Sequence, residues 1–128
     1  MIRMMARGHV YADPSWLNKR RLVEKLAVTN APGARFASFR FVAGELDPMS
    51  TREQFLATVR RVTDPILVVY GADTPKRSKA EMEALANFRN VQSRELPVGK
   101  LAIHEEFPAL VADVVRPFLG GNGKDPRD

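Results

Sequence analysis

The sequence predicts an α/β protein in which a helical segment precedes a strand, a helix, a second strand and a last helix. Residues 66–70 (ILVVY) form an unbroken apolar run between a Pro and a Gly, which is typical of a strand buried on both faces. Residues 91–96 (VQSREL) have the composition of a second strand, and apolar residues recur at helical spacing between and after the two strands. Two strands that are connected by a helix form a right-handed parallel unit.

The helical segment is predicted over residues 1–63. After an irregular start, Ser15 is the predicted N-cap of a first helix, and a second helix is predicted from about residue 34 to residue 43. Ser50 and Glu53 have the spacing of a capping box, which predicts a third helix that ends just before the first strand.

Residues 64–120 are predicted to form the strand–helix–strand–helix part, and residues 121–128 a flexible tail. Ser78 and Glu81 again have the spacing of a capping box, which predicts the start of the helix between the strands. The second strand alternates more than the first and is therefore expected nearer to the edge of the sheet. Pro108 is predicted in the first turn of the last helix.

A sheet of two parallel strands is too small to be stable by itself, and a fully apolar strand needs neighbours on both sides. The sequence supplies only about half of the strands and helices that such a sheet requires. We therefore expect either the C-terminal part of a larger α/β protein, without the N-terminal strands of the sheet, or a free-standing α/β protein. The second alternative would cover its open strand edge by forming a homodimer or by binding a partner.

Composition limits the kinds of site and partner. The chain has 128 residues and no Cys, which excludes disulfides, thiolate metal ligands and a Cys nucleophile, and which is compatible with the cytoplasmic location that we expect. No apolar run has the length of a membrane span, so we expect no membrane partner.

The net charge of +5 is compatible with an anionic partner, but the Lys and Arg residues are scattered. Their densest groups, residues 19–21 and 76–79, are not interleaved with aromatic residues as in a nucleic-acid platform. Solvated helix faces explain the charge more simply, so we do not expect a nucleic-acid partner. An anion-binding module is the weakest of the functional alternatives.

Three stretches of the second half follow one another in an order that is typical of one family. They are residues 64–73 (DPILVVYGAD), 96–99 (LPVG) and 104–111 (HEEFPALV). These stretches resemble the C-terminal end of α/β-hydrolases of the epoxide hydrolase and haloalkane dehalogenase type. Residues 9–63 resemble, more loosely, the helical cap that this family inserts before its last two strands.

The resemblance implies hydrolysis of a small ester, epoxide or haloalkane-type substrate by a nucleophile, a His and an acid. It implies Asp73 as the triad acid and His104 as the triad base. The family's nucleophile elbow, Gly-x-Ser-x-Gly or its Asp variant, does not occur in the sequence, so the isolated chain is predicted to be inactive. A small-molecule substrate is expected only when an N-terminal half or a complementing chain supplies the missing parts.

The chain departs from the family pattern at both of these residues. The family acid stands three residues after the Gly, whereas Asp73 stands two residues after it and Thr74 occupies the usual place. The family His directly follows the last Gly, where this chain has Lys100, and His104 resembles the accessory His of some members. These departures favour a non-catalytic member of the family.

Other candidate residues have structural explanations. Glu105 and Glu106 fit the N-terminal turn of the last helix, where negative charge is favourable. His9 has no partner at a meaningful spacing, and with His104 it makes no metal signature, so we expect no metal or other cofactor. The aromatic residues of the cap segment are expected mainly in the core, with one or two facing a substrate pocket: Trp16, Phe36, Phe39, Phe41 and Phe55.

Overall fold

The structure is a computed structural model that describes residues 9–34, 36, 40, 43–45, 49 and 51–121. The chain divides into two compact units. One unit comprises Met1–Trp16 and Thr63–Asp128, and the other comprises Leu17–Val62.

The described residues confirm a mixed α/β architecture with five helices and two strands. In chain order they are α1 (Lys19–Thr29), α2 (Arg52–Arg60), β1 (Ile66–Gly71), α3 (Lys76–Leu85), β2 (Val91–Leu96), α4 (Ile103–Glu106) and α5 (Pro108–Leu119). The helices of the unit over residues 17–62 are α1 and α2. The other unit contains the predicted strand–helix–strand order and ends in two consecutive helices.

The first helix begins later than predicted. Asn18 is the N-cap of α1, because its side-chain oxygen accepts a hydrogen bond from the Arg21 N–H at 3.0 Å. The prediction of Ser15 as N-cap is wrong. Both the N–H and the hydroxyl of Ser15 donate to the Asp13 carboxylate at 2.7 Å, so Ser15 belongs to a local turn before the helix.

The capping box of α2 lies one residue after the predicted one. The Thr51 hydroxyl accepts from the Gln54 N–H at 3.2 Å, and the Gln54 side chain accepts from the Thr51 N–H at 3.3 Å. Ser50 lies outside the described residues, as does much of the helix predicted over residues 34–43. The predicted box at Ser78 is also wrong, because α3 already begins at Lys76 and Pro75 precedes it without a side-chain cap.

β1 and β2 pair in parallel, with Ile66 opposite Val91 and Gly71 opposite Leu96. Because side chains alternate along a strand, the register places Tyr70 and Glu95 on one face and Leu67 and Gln92 on the other. The sheet therefore has two distinct faces.

α3 and α5 cover opposite faces of this sheet. Lys79 of α3 donates to the Glu95 carboxylate at 2.6 Å and lies 5.9 Å from the centroid of the Tyr70 ring. The hydrogen bond to Glu95 raises the pKa of the Lys79 ammonium. On the opposite face, α5 and the strands together line a cavity to which Leu67 and Gln92 contribute.

Most of the buried apolar residues of this unit lie near the carboxyl ends of the strands, and Val91 lies at the start of β2. Its buried apolar residues are Tyr11, Tyr70, Val91, Leu96, Ala102 and Ile103. Residues 66–69 of β1 are only half-buried, so the prediction of a strand buried on both faces is wrong over most of its length. The reason is that the described residues supply β1 with one neighbouring strand and not two.

Gly71 offers a direct test of the junction after β1. A Cβ at Gly71 would collide with the carbonyl oxygen of Gly99, and backbone atoms cannot move aside as a flexible side chain can. We expect Gly71→Ala to lower the free energy of unfolding by about 3 kcal/mol or more, measured by urea denaturation. Gly120→Ala is the control, because a Cβ there would lie 3.4 Å from the Arg116 carbonyl oxygen. Equal, small losses in both variants would contradict the close contact.

Candidate functional site

The carboxyl ends of the two strands bring two loops into contact. The Ala72 N–H donates to the Leu96 carbonyl at 2.9 Å, which extends the parallel ladder beyond β1. The Asp73 N–H then donates to the Gly99 carbonyl at 3.1 Å. The loop after β1 and the loop after β2 are therefore joined by their backbones, at the edge where α/β proteins carry functional groups.

Two glycines allow this approach. Gly71 is buried and packs directly against the backbone of Gly99. Gly99 has a φ of +99°, which favours glycine, and the space that its side chain would need is filled by Ile103 at the start of α4. The sequence predicts the turn at Gly71, but the fit between the two glycines appears only in the folded chain.

A tight turn after β1 decides which side chains face inward. The Thr74 N–H donates to the Gly71 carbonyl at 3.0 Å, so Ala72 and Asp73 occupy the two corner positions of a β-turn. Both corner residues are exposed, whereas Thr74 is 5% exposed. The turn therefore directs the Asp73 carboxylate to solvent and the Thr74 hydroxyl to the interior.

The two predicted triad residues do not meet in the structure. Asp73 is exposed, and among the described residues its carboxylate has no hydrogen bond or ion pair. His104 lies in α4 with 66% of its side chain exposed, and its Nε2 is 3.9 Å from Oε1 of Glu105. Lys100, which stands where the family has its His, is half-buried in the loop after Gly99.

Thr74 is the site residue that sequence reasoning passed over. Its Oγ1 is buried and has no hydrogen-bond partner within the described part of the chain. A buried hydroxyl without a partner costs about 1–3 kcal/mol, so its presence at this loop needs an explanation other than stability. The sequence signal was its position, since Thr74 stands where the resemblance places the acid.

Glu105 and Glu106 bind an N-terminal part of the chain. The two carboxylate oxygens of Glu106 accept hydrogen bonds from the Ala12 N–H at 2.8 Å and the Asp13 N–H at 2.9 Å. Glu105 accepts from the Tyr11 hydroxyl at 2.8 Å. The explanation of both as residues of the N-terminal turn of the last helix is wrong, because they lie in α4 and are occupied by these long-range contacts.

We call residues 10–16 the N-terminal strap. The Ala102 N–H donates to the Val10 carbonyl at 2.9 Å, which anchors the strap at one end. At the other end, the rings of Tyr11 and Trp16 stack with 4.5 Å between their centroids. Carboxylates that accept backbone N–H groups form strong, charge-assisted hydrogen bonds, so Glu106 is a main holding point of the strap.

The remaining aromatic candidates are either exposed or outside the described residues. Phe36 and Phe55 are exposed, and Phe39 and Phe41 lie outside the described residues. Within the described part of the chain, no group of three or more His, Cys, Asp or Glu residues could hold a metal ion. Nor is any described helix both long enough and apolar enough to cross a membrane.

Comparisons of the chain with models of protein families, with curated proteins and with solved structures find no match. The likeness to α/β-hydrolases thus rests on the three sequence stretches and stays a prediction.

The buried hydroxyl of Thr74 can be tested by an isosteric substitution. We expect Thr74→Val to raise the free energy of unfolding by about 1 kcal/mol, because it removes an unpaired polar group and keeps the shape of the side chain. Thermal and urea denaturation measure the change. Exposed Thr63 is the control, and Thr63→Val should change stability by less than about 0.5 kcal/mol. A loss of stability in Thr74→Val would mean that the hydroxyl has a partner.

The strap can be followed by fluorescence, because Trp16 is the single Trp of the chain. We expect Glu106→Ala to shift the Trp16 emission to longer wavelength and to increase its quenching by acrylamide, since two backbone N–H groups lose their acceptor. Glu106→Gln should give a smaller change, because one amide oxygen remains. Glu83→Ala, an exposed position in α3, is the control. Unchanged emission in Glu106→Ala would contradict the holding role of Glu106.

Proposed function

We propose that this chain is a non-catalytic α/β protein that assembles with a second copy of itself through the open edge of β1. The proposal rests on one observation, which is that the outward-facing backbone groups of Leu67 and Val69 have no hydrogen-bond partner among the described residues. The absence of contact between Asp73 and His104 also favours assembly over catalysis.

The direction of the backbone groups follows from the ladder. The Ile66 N–H donates to the Asn90 carbonyl at 2.8 Å, and hydrogen-bonding groups alternate between the two sides of a strand. The N–H and C=O groups of Leu67 and Val69 therefore point away from β2. Within the described part of the chain, these groups have no hydrogen-bond partner.

The outer edge of β2 is different, because its own side chains protect it. The guanidinium of Arg94 donates to the Ser93 carbonyl at 3.0 Å, and this carbonyl lies on the outer side of the strand. Arg94 and Glu95 place charges along β2, whereas β1 has no charged residue. Charged side chains hinder the addition of a further strand, so β1 is the edge that accepts one.

Two copies can pair about a twofold axis at Val68. In that antiparallel arrangement Leu67 lies opposite Val69 of the second copy, and each such pair exchanges two hydrogen bonds. No like charges face each other, because the paired stretch is uncharged. The resulting sheet has four strands, which is enough for a stable sheet.

Two proline variants distinguish the edges. Val69→Pro removes an outward N–H of β1 without removing a bond of the β1–β2 ladder, and Ser93→Pro is the matched change on the outer edge of β2. In sedimentation equilibrium we expect a concentration-dependent dimer for the wild type and for Ser93→Pro, and a monomer for Val69→Pro.

Amide hydrogen exchange on the wild type gives a second readout that needs no variant. The amides of Leu67 and Val69 should become protected as the dimer forms, whereas the amide of Val68 should be protected at all concentrations. A wild type that stays monomeric, or a dimer in which Leu67 and Val69 exchange freely, would overturn the proposal.

A hydrolase function is the second candidate, and the hydrogen bond between the Asp73 N–H and the Gly99 carbonyl favours it. That contact joins the loop that carries Asp73 to the loop that precedes α4, the helix that carries His104. In this hypothesis a separate chain with a nucleophile elbow occupies the β1 edge. His104 then moves the proton of the nucleophile, and Asp73 orients the imidazole during hydrolysis of a small ester, epoxide or haloalkane. A cytoplasmic location is part of both hypotheses.

Complementation tests the hydrolase hypothesis. The chain alone should not hydrolyse p-nitrophenyl butyrate or styrene oxide, and turnover should require a complementing chain that carries a Gly-x-Ser-x-Gly elbow. Asp73→Asn and His104→Gln should each then lower kcat about 100-fold or more, and Asp64→Asn should leave it unchanged. Turnover that is insensitive to both site variants would exclude their proposed roles, and a paired β1 edge without turnover would exclude catalysis.

A further inference from the structure

A cavity of about 230 Å³ lies between α5 and the sheet face that carries Leu67. Its apolar surface comes from Leu67, Val114 and Phe118, and its polar surface comes from Gln92, Arg94 and Asp113. The cavity thus combines an apolar surface with one carboxylate, one guanidinium and one amide.

The polar groups of the cavity have hydrogen-bonding capacity to spare. Among the described residues, the Asp113 carboxylate and the Gln92 amide have no hydrogen bond or ion pair. One nitrogen of the Arg94 guanidinium donates to the Ser93 carbonyl, which leaves its other N–H groups available. Asp113 and Arg94 are both exposed, so a charged ligand can reach them without first displacing a buried side chain.

We propose that this cavity binds a small zwitterion with an apolar side chain, of the size and chemistry of a free α-amino acid such as leucine. The Asp113 carboxylate pairs with the ammonium group, and the Arg94 guanidinium pairs with the carboxylate, both through charge-assisted hydrogen bonds. The Gln92 amide offers a donor and an acceptor beside them. The apolar side chain of the ligand contacts Leu67, Val114 and Phe118.

The volume of the cavity suits a ligand of this size class. Pockets for drug-sized molecules occupy about 300–1,000 Å³, and this cavity is smaller. A single amino acid is compatible with this space. Binding in an open cavity with two charge pairs is expected to be weak, with a Kd on the order of 1 mM. The lining residues all come from one chain, and Leu67 also belongs to the stretch of β1 that pairs in the proposed dimer.

Three small probes test the proposal on the unmodified protein. L-leucine carries both charges, N-acetyl-L-leucine lacks the cation and L-leucinamide lacks the anion. We expect leucine to shift the amide resonances of Gln92, Arg94 and Asp113 in a saturable way, and each blocked probe to bind at least tenfold more weakly. Equal binding of all three probes, or no shift with leucine up to about ten times the expected Kd, would overturn the proposal.

Variants that remove one charge test which residue binds each charged group of the ligand. Asp113→Asn should weaken the binding of leucine and leucinamide and leave the binding of N-acetyl-leucine unchanged. Arg94→Gln should weaken the binding of leucine and N-acetyl-leucine and leave the binding of leucinamide unchanged. Glu83→Gln and Arg77→Gln, exposed positions in α3 on the opposite face, are the matched controls and should bind leucine like the wild type. Loss of leucine binding in the controls as well, or the reverse pattern of probe sensitivity, would contradict the assigned roles.

Discussion

The contact between the backbones of Gly71 and Gly99 is the constraint on which the carboxyl edge of the sheet depends. Since neither residue has a side chain, the loop after β1 and the loop after β2 approach until the Asp73 N–H reaches the Gly99 carbonyl. Ile103 then fills the space beside Gly99, which fixes the start of α4. α4 in turn presents Glu105 and Glu106 to the strap. One close approach thus determines the position of two loops, a helix and an N-terminal segment.

The two strands of the sheet differ in polarity. β1 is apolar and uncharged along its length, yet residues 66–69 are only half-buried. β2 is polar at its centre, and Arg94 covers one of its outward carbonyl groups. Apolar strands are usually central in a sheet because burial on both faces and both sides stabilises them, whereas charged strands tolerate an edge position. Among the described residues, the apolar strand β1 therefore has an edge position that is unusual for its composition.

The sequence predicted the local elements better than the long-range contacts. The apolar run at residues 66–70 and the pattern at residues 91–96 were sufficient to predict the parallel strands, because a strand is specified by its own residues. The helix starts were wrong by a few residues at Ser15 and Ser78, where several polar residues compete for the cap. The strap could not be predicted, since Tyr11 and Glu105 are 94 positions apart and neither has a distinctive neighbour. The same is true of the unpaired Thr74 hydroxyl, which only the fold makes buried.

The β-turn after β1 makes the spacing between Gly71 and an acid important. An acid two residues after the Gly stands at a corner of the turn, whereas an acid three residues after the Gly would stand at the end of the turn. The hydrogen bond from the Thr74 N–H to the Gly71 carbonyl leaves two corner residues in solvent and returns the third to the interior. A carboxylate at the corner is open to solvent, whereas the Thr74 hydroxyl at the third position is buried. The Asp73 carboxylate is therefore accessible from solvent, and among the described residues it has no hydrogen bond or ion pair with its own chain. A shift of the acid by one position along the sequence therefore moves its side chain between the interior and the surface.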